Sequence, residues 1–119
     1  MRMLLIAGAF LVSLVAHGAP PASKSAASMT IVVFNSNAPD SEKLARLYAA
    51  KRGLAAEQIV GLACTPAEEI SRVDYERDIA EPLRAIFKKR GWWRMKEAGG
   101  QVESSRIRFV ALMRGIPLR

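Results

Sequence analysis

The chemistry-bearing residues of this sequence gather in one polar segment that follows a short apolar run. Residues 34–41 read FNSNAPDS, which brings amide, hydroxyl and carboxylate groups into one loop before a helical pattern. The residues that supply these groups are Asn35, Ser36, Asn37, Asp40 and Ser41. Because a helix N-terminus favours anions, the segment predicts a polar rim able to hold a small ligand.

The same residue types also suit a purely structural role. Asp40 or Ser41 is a good N-cap for the following helix, worth roughly 1 kcal/mol relative to alanine. Asn35 and Asn37 favour Asx turns, and Pro39 stiffens the loop. The loop lacks the repeated glycines of a phosphate cradle, and the charge of Asp40 opposes anion binding. Both interpretations, ligand rim and capped turn, stay open from the sequence.

Two arginines complete the candidate ligand site. Arg114 follows the third predicted strand, and its guanidinium group can pair with a carboxylate or a phosphate. Arg72 precedes the second predicted helix and is expected near the same edge of the sheet. The sequence shows no cluster of metal ligands, and we expect neither a metal ion nor a cofactor.

Cysteine and histidine offer little for nucleophilic catalysis. Cys64 is the only cysteine, and His17, the only histidine, lies in a segment predicted to be removed on export. A cysteine nucleophile needs a base or a cationic setting to form its thiolate. We therefore expect Cys64 to be a small buried apolar residue, and a single cysteine excludes an internal disulfide.

Residues 1–19 have the organisation of a secretory signal peptide. A basic start precedes an uncharged apolar core at residues 3–16, and small residues suited to cleavage follow. We expect cleavage after Gly18 or Ala19, with Ala27 as an alternative. The core is short for a membrane span, although a retained N-terminal anchor is a second possibility. The sequence thus predicts export to the periplasm or the extracellular space.

The chain is basic, with one dense cluster of positive charge. The formal net charge of +7 falls to +6 when Arg2 leaves with the signal peptide. The cluster consists of Lys88, Lys89, Arg90, Arg94 and Lys96, around Trp92 and Trp93. Such a pattern can bind nucleic acid strands or a membrane surface, but it also suits a solvated helix end. Because we predict export, we expect no nucleic-acid partner.

Hydrophobic runs predict three strands behind a short linker. Residues 20–29, rich in Pro, Ser and Ala, predict the linker. Residues 30–34 are β-branched and apolar throughout, as in a strand covered on both faces. Residues 59–63 and 106–113 predict two more strands. The last strand begins with alternating polar and apolar residues and ends in an apolar run, which predicts that its end is buried. Residues 92–105 are polar and are assigned no strand.

Helical periodicity marks two segments between these strands. Residues 41–52 predict a helix that ends at Gly53. Residues 73–90 predict a second helix, which Gly91 ends. Pro82 lacks an N–H group and crowds the preceding turn, so we expect a kink there or two short helices that meet near Glu81.

The alternation of strands and helices predicts a three-layer α/β domain with a mostly parallel sheet. With the first strand central, the strand order is 2-1-3, and the loop after strand 1 shares a crevice with Arg114. Three strands leave open edges and a thin core. We therefore expect residues 30–119 to be the N-terminal part of a longer domain, or else a small domain that dimerises through an edge.

Several short motifs occur in order along the chain. They are Asn35 at a strand end, Ser41 at a helix start, and the motifs at residues 48–53, 70–72, 79–83 and 115–118. The last four read Tyr-Ala-x-x-Arg-Gly, Ile-Ser-Arg, Ile-x-x-Pro-Leu and Gly-x-Pro-Leu. This set, over about residues 30–119, resembles an uncharacterised family of exported bacterial proteins associated with the exosortase sorting system. The resemblance implies a binding or assembly role in the bacterial envelope, with envelope or matrix components as partners.

A looser similarity concerns residues 108–117, RFVALMRGIP. They are similar to a strand of the gingipain-type cysteine peptidases, whose α/β domain is caspase-like. That similarity implies that the catalytic His and Cys would lie on later strands, beyond residue 119. The front end of such a hydrolase is the alternative to a binding or assembly protein.

Overall fold

The β-branched apolar run at residues 30–34 forms the centre of the sheet. The computed structural model describes residues 25–119, so the predicted signal peptide lies outside the described residues. The strand β1, Thr30–Asn35, is buried along its whole length. Its β-branched side chains suit this position, because a parallel strand covered on both faces needs apolar residues on each side.

The sheet has the predicted order. The strand β2 spans Ile59–Leu62 and the strand β5 spans Phe109–Leu112. Both pair with β1 in parallel, which gives the order β2-β1-β5. The third predicted strand is β5, so the expected 2-1-3 order is confirmed. The expected strand at residues 106–113 is shorter, because β5 begins only at Phe109.

Alternate side chains of β1 support two separate apolar layers. Ile31 and Val33 belong to the larger cluster, which packs against the second helical segment. Val32 and Phe34 belong to the other cluster, which packs against the first helix. This arrangement follows from the strand period of two, since successive side chains point to opposite faces. The domain is therefore three-layered, as the sequence predicts.

The first helix, α1, spans Ser41–Arg52 as predicted. Ala45 and Ala49 are its buried residues on the sheet side, and their small side chains let the helix approach β1 closely. The helix ends at Gly53, whose left-handed conformation satisfies the last turn through a bond to Ala49. Glu42 and Arg46 form an ion pair of 2.6 Å one turn apart on the exposed face.

The second helical segment is divided near Glu81. The helix α2 spans Arg72–Tyr75, a π-helical turn spans Glu76–Ala80, and the helix α3 spans Glu81–Lys89. Pro82 lies in the first turn of α3, directly after the π-helical turn, and the backbone stays helical through Ala80 and Glu81. The wider π turn precedes it and provides the predicted irregularity.

A β-hairpin occupies the segment that we assigned no strand, so that assignment was wrong. The strands β3, Trp93–Met95, and β4, Val102–Ser105, pair in antiparallel fashion with a register shift. Gly99 and Gly100 supply the left-handed conformations that the turn requires. The hairpin follows Trp92, which is buried and meets Phe87 edge-to-face at 5.3 Å.

Part of the predicted linker belongs to the folded domain. Ala26–Met29 forms a short 3-10 helix, and the Ser25 side chain caps it. The Gln58 amide donates a hydrogen bond of 2.7 Å to the carbonyl of Ala27 and another to that of Thr30. These bonds attach the segment to the start of β1. Among residues 25–119, the helices are too short and too polar to cross a bilayer.

Candidate functional site

The carboxyl ends of the three parallel strands meet at the Asn35 side chain, which is fully buried. Its Nδ2 group donates to the backbone carbonyls of Cys64, Thr65 and Gly115, at 3.0, 3.2 and 2.8 Å. Its Oδ1 atom accepts from the backbone N–H groups of Asn37 and Cys64, at 2.9 and 3.3 Å. One amide therefore joins the end of β1 to the segments that follow β2 and β5.

The Ser41 hydroxyl makes a second connection at the same place. It accepts from the backbone N–H of Asn35 at 3.0 Å and donates to the carbonyl of Arg114 at 2.7 Å. Ser41 is fully buried, and both contacts link the start of α1 to the strand ends. We call Asn35, Ser36, Asn37 and Ser41 the strand-end cluster.

The two remaining members of the strand-end cluster attach it to β2. Ser36 donates from its backbone and its hydroxyl to the carbonyl of Leu62, at 2.8 and 3.1 Å. The Asn37 amide donates to the carbonyl of Cys64 at 3.1 Å. The amide and hydroxyl groups of the cluster thus bind the protein's own backbone.

The side-chain cap that we considered for α1 is not formed. Asp40 occupies the N-cap position in a left-handed conformation, with φ of 62°, and its side chain makes no capping bond. Ser41 is the first helical residue, and its hydroxyl serves the strand ends instead. The capping explanation of these two residues was therefore wrong, although the Asx-type bond from Asn37 N–H to Asn35 is present.

Gly115 allows the two loops of the predicted crevice to touch. Its φ is +96°, in the region that favours glycine. A Cβ atom at this position would lie 2.4 Å from the Cβ of Ala38, inside van der Waals contact. The loop after β5 therefore packs directly on the loop after β1, and the predicted proximity of the two loops is observed.

Within the described residues, the guanidinium groups of the two candidate arginines make no hydrogen bond to the strand-end cluster. Arg114 joins the cluster through its carbonyl, while its exposed side chain lies along a groove with Glu68 and Leu118. Arg72 begins α2, pairs with Glu76 at 2.9 Å and lies over the ring of Tyr75. Its described contacts are thus within its own helical segment.

An open groove remains beside the strand-end cluster. It is lined by Asn35, Ser36, Ala38, Asp40, Glu42, Lys43 and Arg46. Its charged groups are the acidic Asp40, the basic Lys43 and the ion pair of Glu42 with Arg46, so the groove has no consistent charge. Among residues 25–119, no three His, Cys, Asp or Glu side chains form a group that would hold a metal ion.

Cys64 is a core residue, as the sequence predicts. Its side chain belongs to the larger apolar cluster. Burial raises the pKa of the Cys64 thiol, and the negative charge of Asp78 raises that pKa further. Both effects keep the sulfur protonated, which is the opposite of an activated nucleophile.

Three strands were expected to leave open edges, but the apolar side chains of the edge strand β5 are more exposed than predicted. Its apolar residues Phe109, Val110 and Leu112 are 53%, 48% and 50% exposed. Within the described residues, β1 is the only strand bonded to β5. The buried finish that we predicted for this strand was therefore wrong, since a run of apolar residues cannot distinguish an edge strand from a central one.

Two grooves flank this exposed strand, which we call the β5 edge. The groove on the α1 side is lined in part by Tyr48, Arg52, Leu54, Phe109 and Ala111. The groove on the α3 side is lined in part by Tyr75, Leu83, Phe87, Trp93 and Val110. Val110 lines both grooves, so their largely apolar linings meet at the β5 edge.

Comparisons with protein-family models, curated protein sequences and solved structures gave no match to this chain. Its function has to be inferred from its own residues and their geometry.

We predict that Asn35→Ala destabilises the fold, because it strips the bonding partner from buried backbone groups after β2 and β5. The expected loss is at least about 1–3 kcal/mol in the free energy of unfolding. Asn37→Ala is the matched control, since Asn37 is exposed and its loss should cost less than about 1 kcal/mol. Urea unfolding followed by circular dichroism measures both, and equal midpoints would contradict a structural role for Asn35.

We also predict that Cys64 resists alkylation in the folded protein. At pH 8 the raised pKa keeps the thiol neutral, and burial blocks access. Iodoacetamide should therefore react at least about tenfold more slowly than with the urea-unfolded chain. Mass spectrometry of the time course gives both rates. A fast reaction in the native state would identify an accessible thiolate and restore Cys64 as a candidate nucleophile.

Proposed function

We propose that this protein is an exported binding or assembly module of the bacterial envelope, and that it docks through the β5 edge. The observation that carries the proposal is the half exposure of Phe109, Val110 and Leu112 in a strand of the central sheet. Exposed apolar surface of this continuity is typical of an interaction site.

The opposite edge of the sheet provides the contrast. Val60 and Leu62 of β2 are 1% and 3% exposed, although β2 is also a terminal strand of its sheet. The protein therefore covers the side chains of one terminal strand and leaves those of the other open. Natural edge strands are commonly protected by lysine, proline or bulges, and the residues Phe109–Leu112 include none of these.

A strand edge of this kind supports docking by strand addition. The partner contributes an extended segment, main-chain hydrogen bonds give affinity, and side-chain grooves give selectivity. The β5 edge offers all three requirements: an open backbone edge, a groove on the α1 side and a groove on the α3 side. The strand-end cluster is a poorer candidate, because its polar groups are bonded to backbone.

The envelope location is supported by the sequence. Residues 1–19 have the pattern of a signal peptide, and the motifs over residues 30–119 resemble exosortase-associated exported proteins. Envelope or matrix components are accordingly the partners that we propose.

The alternative function, the front end of a caspase-like hydrolase, is favoured by the parallel β2-β1-β5 sheet with helices on both faces. In that case later strands would cover the β5 edge and carry the catalytic His and Cys. Reading the coding sequence past Arg119 separates the two functions, because the hydrolase requires a histidine and a cysteine at downstream strand ends.

We predict that Leu112→Lys weakens binding to the envelope, because a charged group replaces apolar surface on the β5 edge. Loss of one buried leucine is worth about 1.5–3 kcal/mol, or at least tenfold in affinity. The measurement is co-sedimentation of purified protein with envelope and matrix fractions of the host bacterium.

Leu47→Lys is the matched control for this measurement. Leu47 is 56% exposed on α1, so the substitution makes the same chemical change at a similarly exposed leucine outside the β5 edge. The control should bind as the unaltered protein does. Equal binding of both variants would remove the β5 edge from the proposal, and no binding of the unaltered protein would refute the envelope role.

We predict that residues 1–29 direct a reporter out of the cytoplasm. Fused to alkaline phosphatase, which folds to an active enzyme only after export, they should give active enzyme in the periplasm. The same fusion without the apolar core at residues 3–16 should stay inactive, because the core is what the export machinery inserts. Activity that is independent of the core, or absent from both fusions, would refute export.

A further inference from the structure

We infer that the β5 edge accepts an extended, acidic segment of a partner protein, with alternating apolar residues between flanking carboxylates. This inference rests on the proposed docking function and adds the chemistry of the partner. It is carried by the arginines that frame β5 and by the grooves on its two sides.

Positive charge frames the β5 edge at both ends. Arg106 and Arg108 precede the strand and Arg114 follows it, and all three side chains are exposed. Among residues 25–119, no ion pair includes any of these three guanidinium groups. Carboxylates on a bound segment would give each of them a partner, with charge-assisted hydrogen bonds.

Five other arginines of the domain pair with acidic side chains, whereas Arg52, Arg90 and Arg94 form no ion pair within residues 25–119. Those that pair with Asp or Glu are Arg46, Arg72, Arg77, Arg84 and Arg119. Each of these has its carboxylate nearby in sequence or in the fold. Arg106, Arg108 and Arg114 therefore belong to the arginines whose charge no ion pair neutralises within residues 25–119, and they are the ones that adjoin β5 in the sequence.

The grooves on the two sides of β5 fit the side chains of an added strand. An added strand would lie about 4.7–4.9 Å from β5, and its successive side chains would point to opposite faces of the sheet. One set would meet Tyr48 and Leu54 on the α1 side. The other set would meet Leu83, Phe87 and Trp93 on the α3 side. Apolar residues at alternating positions of the segment fill one groove, and the residues between them lie at the other groove.

A second copy of this chain fits the edge less well. Antiparallel pairing of two β5 strands about their centre would place Arg108 opposite Met113 of the other copy, close to its Arg114. Each copy would bring its own Arg106, Arg108 and Arg114 to one seam, and like charges opposite each other destabilise a strand pair. The formal net charge, +6 after removal of the predicted signal peptide, adds to this repulsion.

The test uses two fluorescein-labelled peptides and the purified protein. Each peptide has a core of alternating Val and Thr, flanked at both ends by Asp and Glu in one peptide and by Lys in the other. Fluorescence anisotropy measures binding. We expect the acidic peptide to bind at least about tenfold more tightly than the basic one, and to weaken as added salt screens the charges.

Charge reversal on the protein makes the test specific. Arg108→Glu combined with Arg114→Glu should abolish the preference for the acidic peptide and favour the basic one. Arg94→Glu combined with Lys96→Glu is the matched control, since it removes the same charge from the exposed hairpin strand β3 and the residue after it. The control should keep the acidic preference. Near-UV circular dichroism checks that both variants remain folded.

Three outcomes would overturn the inference while leaving the envelope measurement intact. One is equal binding of the two peptides, and another is binding of neither peptide at the highest soluble concentration. The third is a dimer in analytical ultracentrifugation that Leu112→Lys dissociates, because a second copy would then occupy the edge. A failure of the Leu112→Lys envelope experiment would instead refute the docking function on which the inference rests.

Discussion

The carboxamide of Asn35 is the interaction on which the arrangement of this domain depends. Parallel strands leave carbonyl and N–H groups without ladder partners where they end, and such groups must be satisfied when they are buried. Here one side chain reaches the segments after both neighbouring strands, with bonds to Cys64, Thr65 and Gly115. The order β2-β1-β5 brings those carbonyls to the amide. From the start of α1, the Ser41 hydroxyl bonds the N–H of Asn35 and the carbonyl of Arg114 at the same strand ends.

Because the side chains of Asn35 and Ser41 are bonded to backbone groups, they are not available to a ligand at the strand ends. In open α/β sheets the crevice beyond the carboxyl ends is the usual ligand site, yet here its polar groups hold backbone to backbone. The contact between Gly115 and Ala38 closes the loops over the same region. The surface that stays exposed lies at the β5 side of the sheet. It consists of the apolar side chains of β5, the grooves beside them and the arginines at the ends of the strand.

Some features were predictable because a local pattern determines them. The β-branched run of β1 and the helical period of residues 41–52 determine those elements, and the alternation of strands and helices predicts a parallel sheet. The hairpin at residues 93–105 was missed because its strands mix aromatic, charged and small residues without a clear period. The role of Asn35 depends on which backbone carbonyls the neighbouring strands bring to it. The exposure of Val110 depends on whether another element covers β5. A local sequence pattern determines neither of these two properties.

The arginines around β5 also bear on the solubility of the protein. A bare apolar strand edge is a template for aggregation, and charged residues at its ends act as gatekeepers that keep identical chains apart. Arg106, Arg108 and Arg114 hold that position here. Such repulsion is screened over about 10 Å at 0.1 M ionic strength and over about 3 Å at 1 M. The protein is therefore best kept in dilute buffer, and concentrated salt should bring it closer to precipitation.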